Sequence, residues 1–95
     1  MARANAITTA ALNAKHKGVY RWLSDGGGRG AGRLVAMIRQ GGPVFYFQHF
    51  DAGRRKRFLP IGPYDSTGRR GWSLQRARDR AAELSELYRS GVADL

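Results

Sequence analysis

Four consecutive cations, Arg54, Arg55, Lys56 and Arg57, follow the turn-forming Asp51-Ala52-Gly53, and the aromatic stretch Phe45-Tyr46-Phe47-Gln48-His49-Phe50 precedes that turn. Strand, turn and strand in this order predict a β-hairpin with a basic ridge on one arm. Each ammonium or guanidinium that neutralises a phosphate releases condensed counterions, so such a ridge suits a polyanion better than a protein core. Arg33 and Arg39 add cations on the neighbouring strand pattern, and Tyr46, Gln48 and Phe50 supply a polar-aromatic set between them. A charge run can also do no more than solvate a sheet and keep its edge from pairing. Clustering of this density favours binding. A two- or three-stranded ribbon fits the ~12 Å major groove of duplex DNA, where Arg reads guanine and Gln reads adenine through paired hydrogen bonds. The expected contacts with double-stranded DNA are Arg33, Arg39, Tyr46, Gln48, Phe50, Arg54, Arg55, Lys56 and Arg57.

Other chemistry finds less support. Gly26-Gly27-Gly28-Arg29-Gly30-Ala31 contains a G-x-G-x-x-A spacing, but a dinucleotide fingerprint needs a strand before it and a helix after it, whereas a strand pattern follows here. It reads as a loop. His16 and His49 are far apart and accompanied by no cysteine, so no metal site is expected, and His49 reads as a half-buried sheet residue. Asp79, Glu83 and Glu86 share a helical stripe with Arg76 and Arg80 beside them, the pattern of a solvated, ion-paired surface rather than of paired catalytic carboxylates. Neither a cofactor, a small-molecule substrate nor catalysis by this chain is expected.

The chain has 95 residues, enough for one domain with a modest core, and no cysteine, so neither disulfides nor thiolate metal sites reinforce it. The first residues lack the pattern of a signal peptide, and no stretch approaches the ~20 apolar residues that cross a bilayer. A cytoplasmic location is the expectation, with no membrane partner. The formal net charge is +10. Thirteen basic and three acidic groups lie in residues 1–70, against four of each in 71–95, so the excess sits entirely upstream of the last helix pattern.

The elements that must position the basic ridge are legible from periodicity. Residues 1–18 read as a flexible N-terminal arm in which Ile7, Ala11 and Leu12 could make one helical turn, and Val19 to Leu23 as a short strand before the glycine-rich loop. Arg33 to Arg39 alternates, with Leu34, Ala36 and Ile38 on one face and Val35 and Met37 on the other. Val44 to Phe50 is a second strand whose orientation the pattern leaves open. Arg54 to Ile61 is a third, with Leu59 and Ile61 on one face, Lys56, Phe58 and Pro60 on the other, and Pro60 suited to an edge. From Ser73 the period becomes helical through Leu74, Ala77, Ala81, Leu84 and Leu87 or Tyr88, with Ser73 as N-cap and Gly91 as the closing residue. The predicted fold class is α+β, a three- to four-stranded antiparallel sheet packed against one C-terminal helix over residues 73–91.

Several blocks then follow one another in a recognisable order: Leu23-Ser24-Asp25-Gly26-Gly27-Gly28, Gly32-Arg33-Leu34, Phe45-Tyr46-Phe47-Gln48-His49, Ile61-Gly62-Pro63-Tyr64, Ser73-Leu74-Gln75-Arg76-Ala77-Arg78-Asp79-Arg80-Ala81 and Gly91-Val92-Ala93-Asp94. In this the chain resembles the N-terminal domain of phage and prophage integrases. The resemblance implies an arm-type DNA-binding domain of a tyrosine recombinase, whose sheet enters the major groove while the helix covers its other face. It also implies that Leu34, Ala36, Ile38, Phe45, Phe47, His49, Leu59 and Ile61 point inward, and Tyr46, Gln48 and Phe50 outward. Phe45 and His49 stand where the family commonly has Trp and Tyr, and the position of Gln48 is often basic there. The family continues into core-binding and catalytic domains that this chain does not hold, so DNA integration chemistry would belong to the parent recombinase. Two other functions fit the residues: an RNA-binding sheet that stacks unpaired bases, and a module contacting other integrase subunits through the helix or the Val35/Met37 surface.

Overall fold

The computed structural model describes residues 7–13, 21–25, 32–39 and 41–91. Its elements run α1 (Thr9–Asn13), β1 (Arg21–Ser24), β2 (Arg33–Ile38), β3 (Val44–Phe50), β4 (Lys56–Pro63) and α2 (Leu74–Arg89). The strands form one four-stranded antiparallel sheet in the order β1-β2-β3-β4, and α2 packs on β2 and β3. The α+β class and the C-terminal helix are as expected from the sequence. His16, Val19, Tyr20 and the glycine-rich segment 26–31 lie outside the described residues.

Helix α2 begins where Ser73 leaves the extended conformation, its hydroxyl accepting from the Arg76 amide at 3.3 Å. The helix ends at Ser90, and Gly91, at φ 101°, takes the left-handed conformation that other residues resist. Between these ends Ala77, Ala81 and Leu84 are buried. Two alanines at the contact let the helix backbone approach the sheet closely, and the larger volumes come from the strands: Phe45 and Phe47 are fully buried, with Leu34, Ala36 and Ile38 beside them. Above the ring of Phe47 sits Gly32, at φ 71°, where an added Cβ would collide with that ring.

Of the N-terminal segment, the described residues 7–13 contribute to this core. Ile7 and Leu12 are as buried as the sheet residues they join. The Arg78 guanidinium holds the arrangement from α2, donating to the Ile7 carbonyl at 2.9 Å and to the Asp25 carboxylate at 2.9 Å, just past the end of β1. The hydrogen bond to Asp25 raises the pKa of Arg78 above its ordinary value, against the opposing effect of burial.

The β3–β4 pairing carries a bulge. Tyr46 lies opposite Pro60, whereas Phe45 lies opposite Gly62, leaving Ile61 as the extra residue. Gly62, at φ 153°, has the Trp72 indole against it, and a Cβ there would come within 2.6 Å of the ring. The third strand therefore runs two residues later than expected at both ends. Arg54 and Arg55 belong to the turn, and Pro63 still pairs with Val44. Strand β4 is an edge, and Pro60 and Pro63 leave gaps in its row of free donors, which disfavours pairing with a further strand. Among the described residues, no helix is long and apolar enough to cross a membrane.

Candidate nucleic-acid interface

Alternation sends every second strand residue to the face that α2 does not cover, and the register lines these residues up in rows across the sheet. Ser24, Val35, Tyr46 and Pro60 form one row. Arg33, Gln48 and Phe58 form the next, and Phe50 lies opposite Lys56 nearest the hairpin tip. Trp22, opposite Met37, stands on the other side of the Ser24 row.

The rings on this face gather. Trp22 from β1 stacks on Phe58 from β4 with centroids 4.9 Å apart and planes 18° off parallel, and Tyr46 lies 5.7 Å from Trp22 and 6.3 Å from Phe58. Strands β1 and β4 are the two edges of the sheet, so for their side chains to touch, both must lean over the middle strands. Val35 is the residue they roof: it is 2% exposed although it faces away from α2. The expectation that Val35 offers an open surface to another subunit is thereby corrected, because alternation within one strand does not reveal a ring arriving from two strands away. Trp22 and Phe58 themselves remain 41% and 40% exposed. Beside the rings is a cavity of about 210 Å³ lined by Trp22, Ser24, Val35, Gln48, Lys56 and Phe58.

The hairpin tip is organised by Asp51. One carboxylate oxygen accepts from the Gly53 and Arg55 amides at 2.9 Å each, and the other accepts from Arg57 Nε at 2.8 Å. The Arg55 amide and then the Arg57 guanidinium hold the Asp51 carboxyl below its usual pKa range. The Arg54 amide closes the turn on the Asp51 carbonyl at 3.0 Å, which places Arg54 at φ 62°. Three-residue hairpin loops commonly put glycine at such a left-handed position. An exposed arginine is held there instead.

Of the nine residues expected to contact DNA, Arg33, Tyr46, Gln48, Phe50 and Lys56 share the outward face, with Arg54 and Arg55 at the adjoining tip. The other two lie elsewhere. Arg57 is opposite His49, on the side of α2, and is engaged by Asp51. Arg39 is in the β2–β3 turn at the far end of the sheet, donating from Nε to the Gly42 carbonyl at 3.2 Å. None of Arg33, Arg54, Arg55 and Lys56 forms an ion pair with another described residue. His49 is more buried than expected, at 7%, packed against Phe47 and Tyr88 with its Nδ1 unpartnered among the described residues. Asp79 and Glu83 bond to Gln75 and Arg80 on the exposed side of α2, as the charge pattern implied.

Sequence reasoning did not place Trp22, Ser24 or Phe58 at the site. For Phe58 a signal existed, since it shares parity with Lys56 and Pro60. For Trp22 the surrounding pattern was only partly alternating, and its side becomes fixed through its partner Met37. No family model, no curated protein and no solved structure matches this chain.

Proposed function

We propose that this chain binds double-stranded DNA through the outward sheet face and the β3–β4 tip, as the arm-type DNA-binding module of a phage or prophage integrase. The observation that carries the reading is the placement of Gln48: it lies between Arg33 and Phe58 in its row, with Lys56 nearby, on a face that no element of the described residues covers and whose cations form no ion pair with a described acidic residue. Cations at the margins neutralise phosphates and fix orientation, and a central amide reads base edges. The helix braces the opposite face. In this reading the module anchors a tyrosine recombinase at its sites in bacterial cytoplasm, on the nucleoid, and leaves cleavage and DNA integration to other domains. It needs no cofactor of its own.

The test is binding of the chain to duplex DNA across a salt series. The logarithm of the binding constant should fall against the logarithm of salt concentration with a slope of roughly −0.9 per phosphate neutralised. Replacing Arg54, Arg55 and Lys56 together by Ala should flatten that slope and weaken binding to all sequences alike, whereas Gln48→Ala should mainly alter which sequences are preferred. Unchanged affinity in the triple variant would exclude the hairpin as the contact.

The exposed Trp22 and Phe58 rings favour a second reading, an RNA-binding sheet, because aromatic faces stack unpaired bases. Competition between duplex DNA and single-stranded RNA at matched salt separates the two.

A further inference from the structure

A face that only lies against a paired duplex needs no depth, yet this one has a cavity beside its rings. The space of about 210 Å³ is several times the ~30 Å³ share of one water and falls below the ~300–1,000 Å³ of sites that take drug-sized ligands. It suits a single planar ring. Its lining is divided in chemistry: Trp22 and Phe58 give aromatic surface, the buried Val35 gives an apolar base, and Ser24, Gln48 and Lys56 give polar groups. The Ser24 hydroxyl and the Gln48 amide form no hydrogen bond with another described residue. The Gln48 amide offers both donors and an acceptor, the combination that pairs with the edge of a nucleobase. Lys56, on the tip side, adds a cation, with Arg54 and Arg55 close by in the chain.

From this we infer that the cavity holds one unpaired base of a DNA strand, stacked against the Trp22 and Phe58 rings with Gln48 at its edge and its phosphate near Lys56. The inference rests on the outward face being the nucleic-acid contact and adds what that contact selects: a base out of its stack. Charge complementarity identifies the occupant. An apolar partner would leave Lys56 and Arg33 facing it without counterions, whereas a nucleotide brings a flat ring and a negative charge together. Stacking tolerates any base, so Gln48 is the group that distinguishes among them.

The experiment compares three labelled probes by fluorescence anisotropy with the full chain at fixed salt: a flush duplex, the same duplex with one unpaired thymidine at its centre, and a single-stranded RNA of matching sequence. The bulged duplex should bind roughly tenfold more tightly than the flush one, the loss expected when a base–aromatic stack is removed. Phe58→Ala should bring that ratio close to one, and Arg54→Ala should weaken both duplexes while leaving the ratio in place. Because removing Phe58 also unroofs Val35, Gln48→Ala serves as the second variant: its side chain bonds no other described residue, and its loss should erase differences among bulged thymidine, cytidine and adenosine. Equal affinity for flush and bulged duplexes, with a steep salt dependence for both, would overturn this inference and leave duplex binding standing. Binding to neither would overturn both, and tighter binding to the RNA would overturn the assignment to DNA.

Discussion

The two faces of the sheet come from the same strands and the same alternation, but they are closed by different means. On one face α2 supplies small side chains, Ala77 and Ala81, over large strand residues, Phe45 and Phe47, and the result is a continuous buried layer. On the other, no element of the described residues arrives. Rings from the two edge strands fold inward over Val35, bury it, and stay about two-fifths exposed themselves. A covering helix removes nearly all the apolar surface of a face from water, whereas a self-made roof removes the centre and leaves the rim. The first arrangement stabilises the fold. The second keeps polar groups and flat rings in reach of a ligand.

Substitutions can break this contrast or sharpen it. The largest effect should come from Phe47→Ala on the covered face, a loss of about 3–5 kcal/mol in chemical denaturation, because the cavity it leaves is closed on all sides. Val35→Ala is the counterpart on the other face and should cost only about 1–2 kcal/mol, since the roofing rings can settle into the space. Equal losses would show that the outward rings form a second rigid core. Arg54→Gly should act in the opposite direction. Relieving a left-handed arginine should raise stability by about 1 kcal/mol while DNA binding weakens, a divergence that urea unfolding and a binding titration together would reveal.

The smallest effect concerns acidity. Asp51 is held below the usual carboxylate range, chiefly by the Arg55 amide, so its contribution is fully present above the unfolded carboxylate pKa and is lost as pH falls through the lower folded value. Amide-exchange protection of Arg54 and Arg55 should therefore persist through mildly acidic solution and fade only below the ordinary carboxylate range. The covered face should not respond over that interval.

Much of the covered face was legible beforehand. Alternation named Leu34, Ala36 and Ile38, helical period named Ala77, Ala81 and Leu84, and Ser73 and Gly91 marked the helix ends, because each of these signals is local in sequence. Seven of the nine expected contacts fall together on one surface, since parity along β3 and β4 is also local. What failed to show was contact across the sheet. The meeting of Trp22 with Phe58 depends on the register of four strands at once. The exclusion of Arg57 from the outward side follows from its parity with Leu59, which the run of like charges around it masks. Its pairing with Asp51 further requires the turn geometry.

Ile61 is the one residue by which β4 exceeds its partner. Remove it and β4 becomes a regular ladder: Pro60 stays opposite Tyr46, Gly62 stays opposite Phe45, and Lys56 and Phe58 keep the outward face. The surplus residue is slack in the length of the strand, and among functional variants a single-residue deletion in β4 should fall at Ile61 rather than at Phe58 or Leu59, each of which has its own partner on β3.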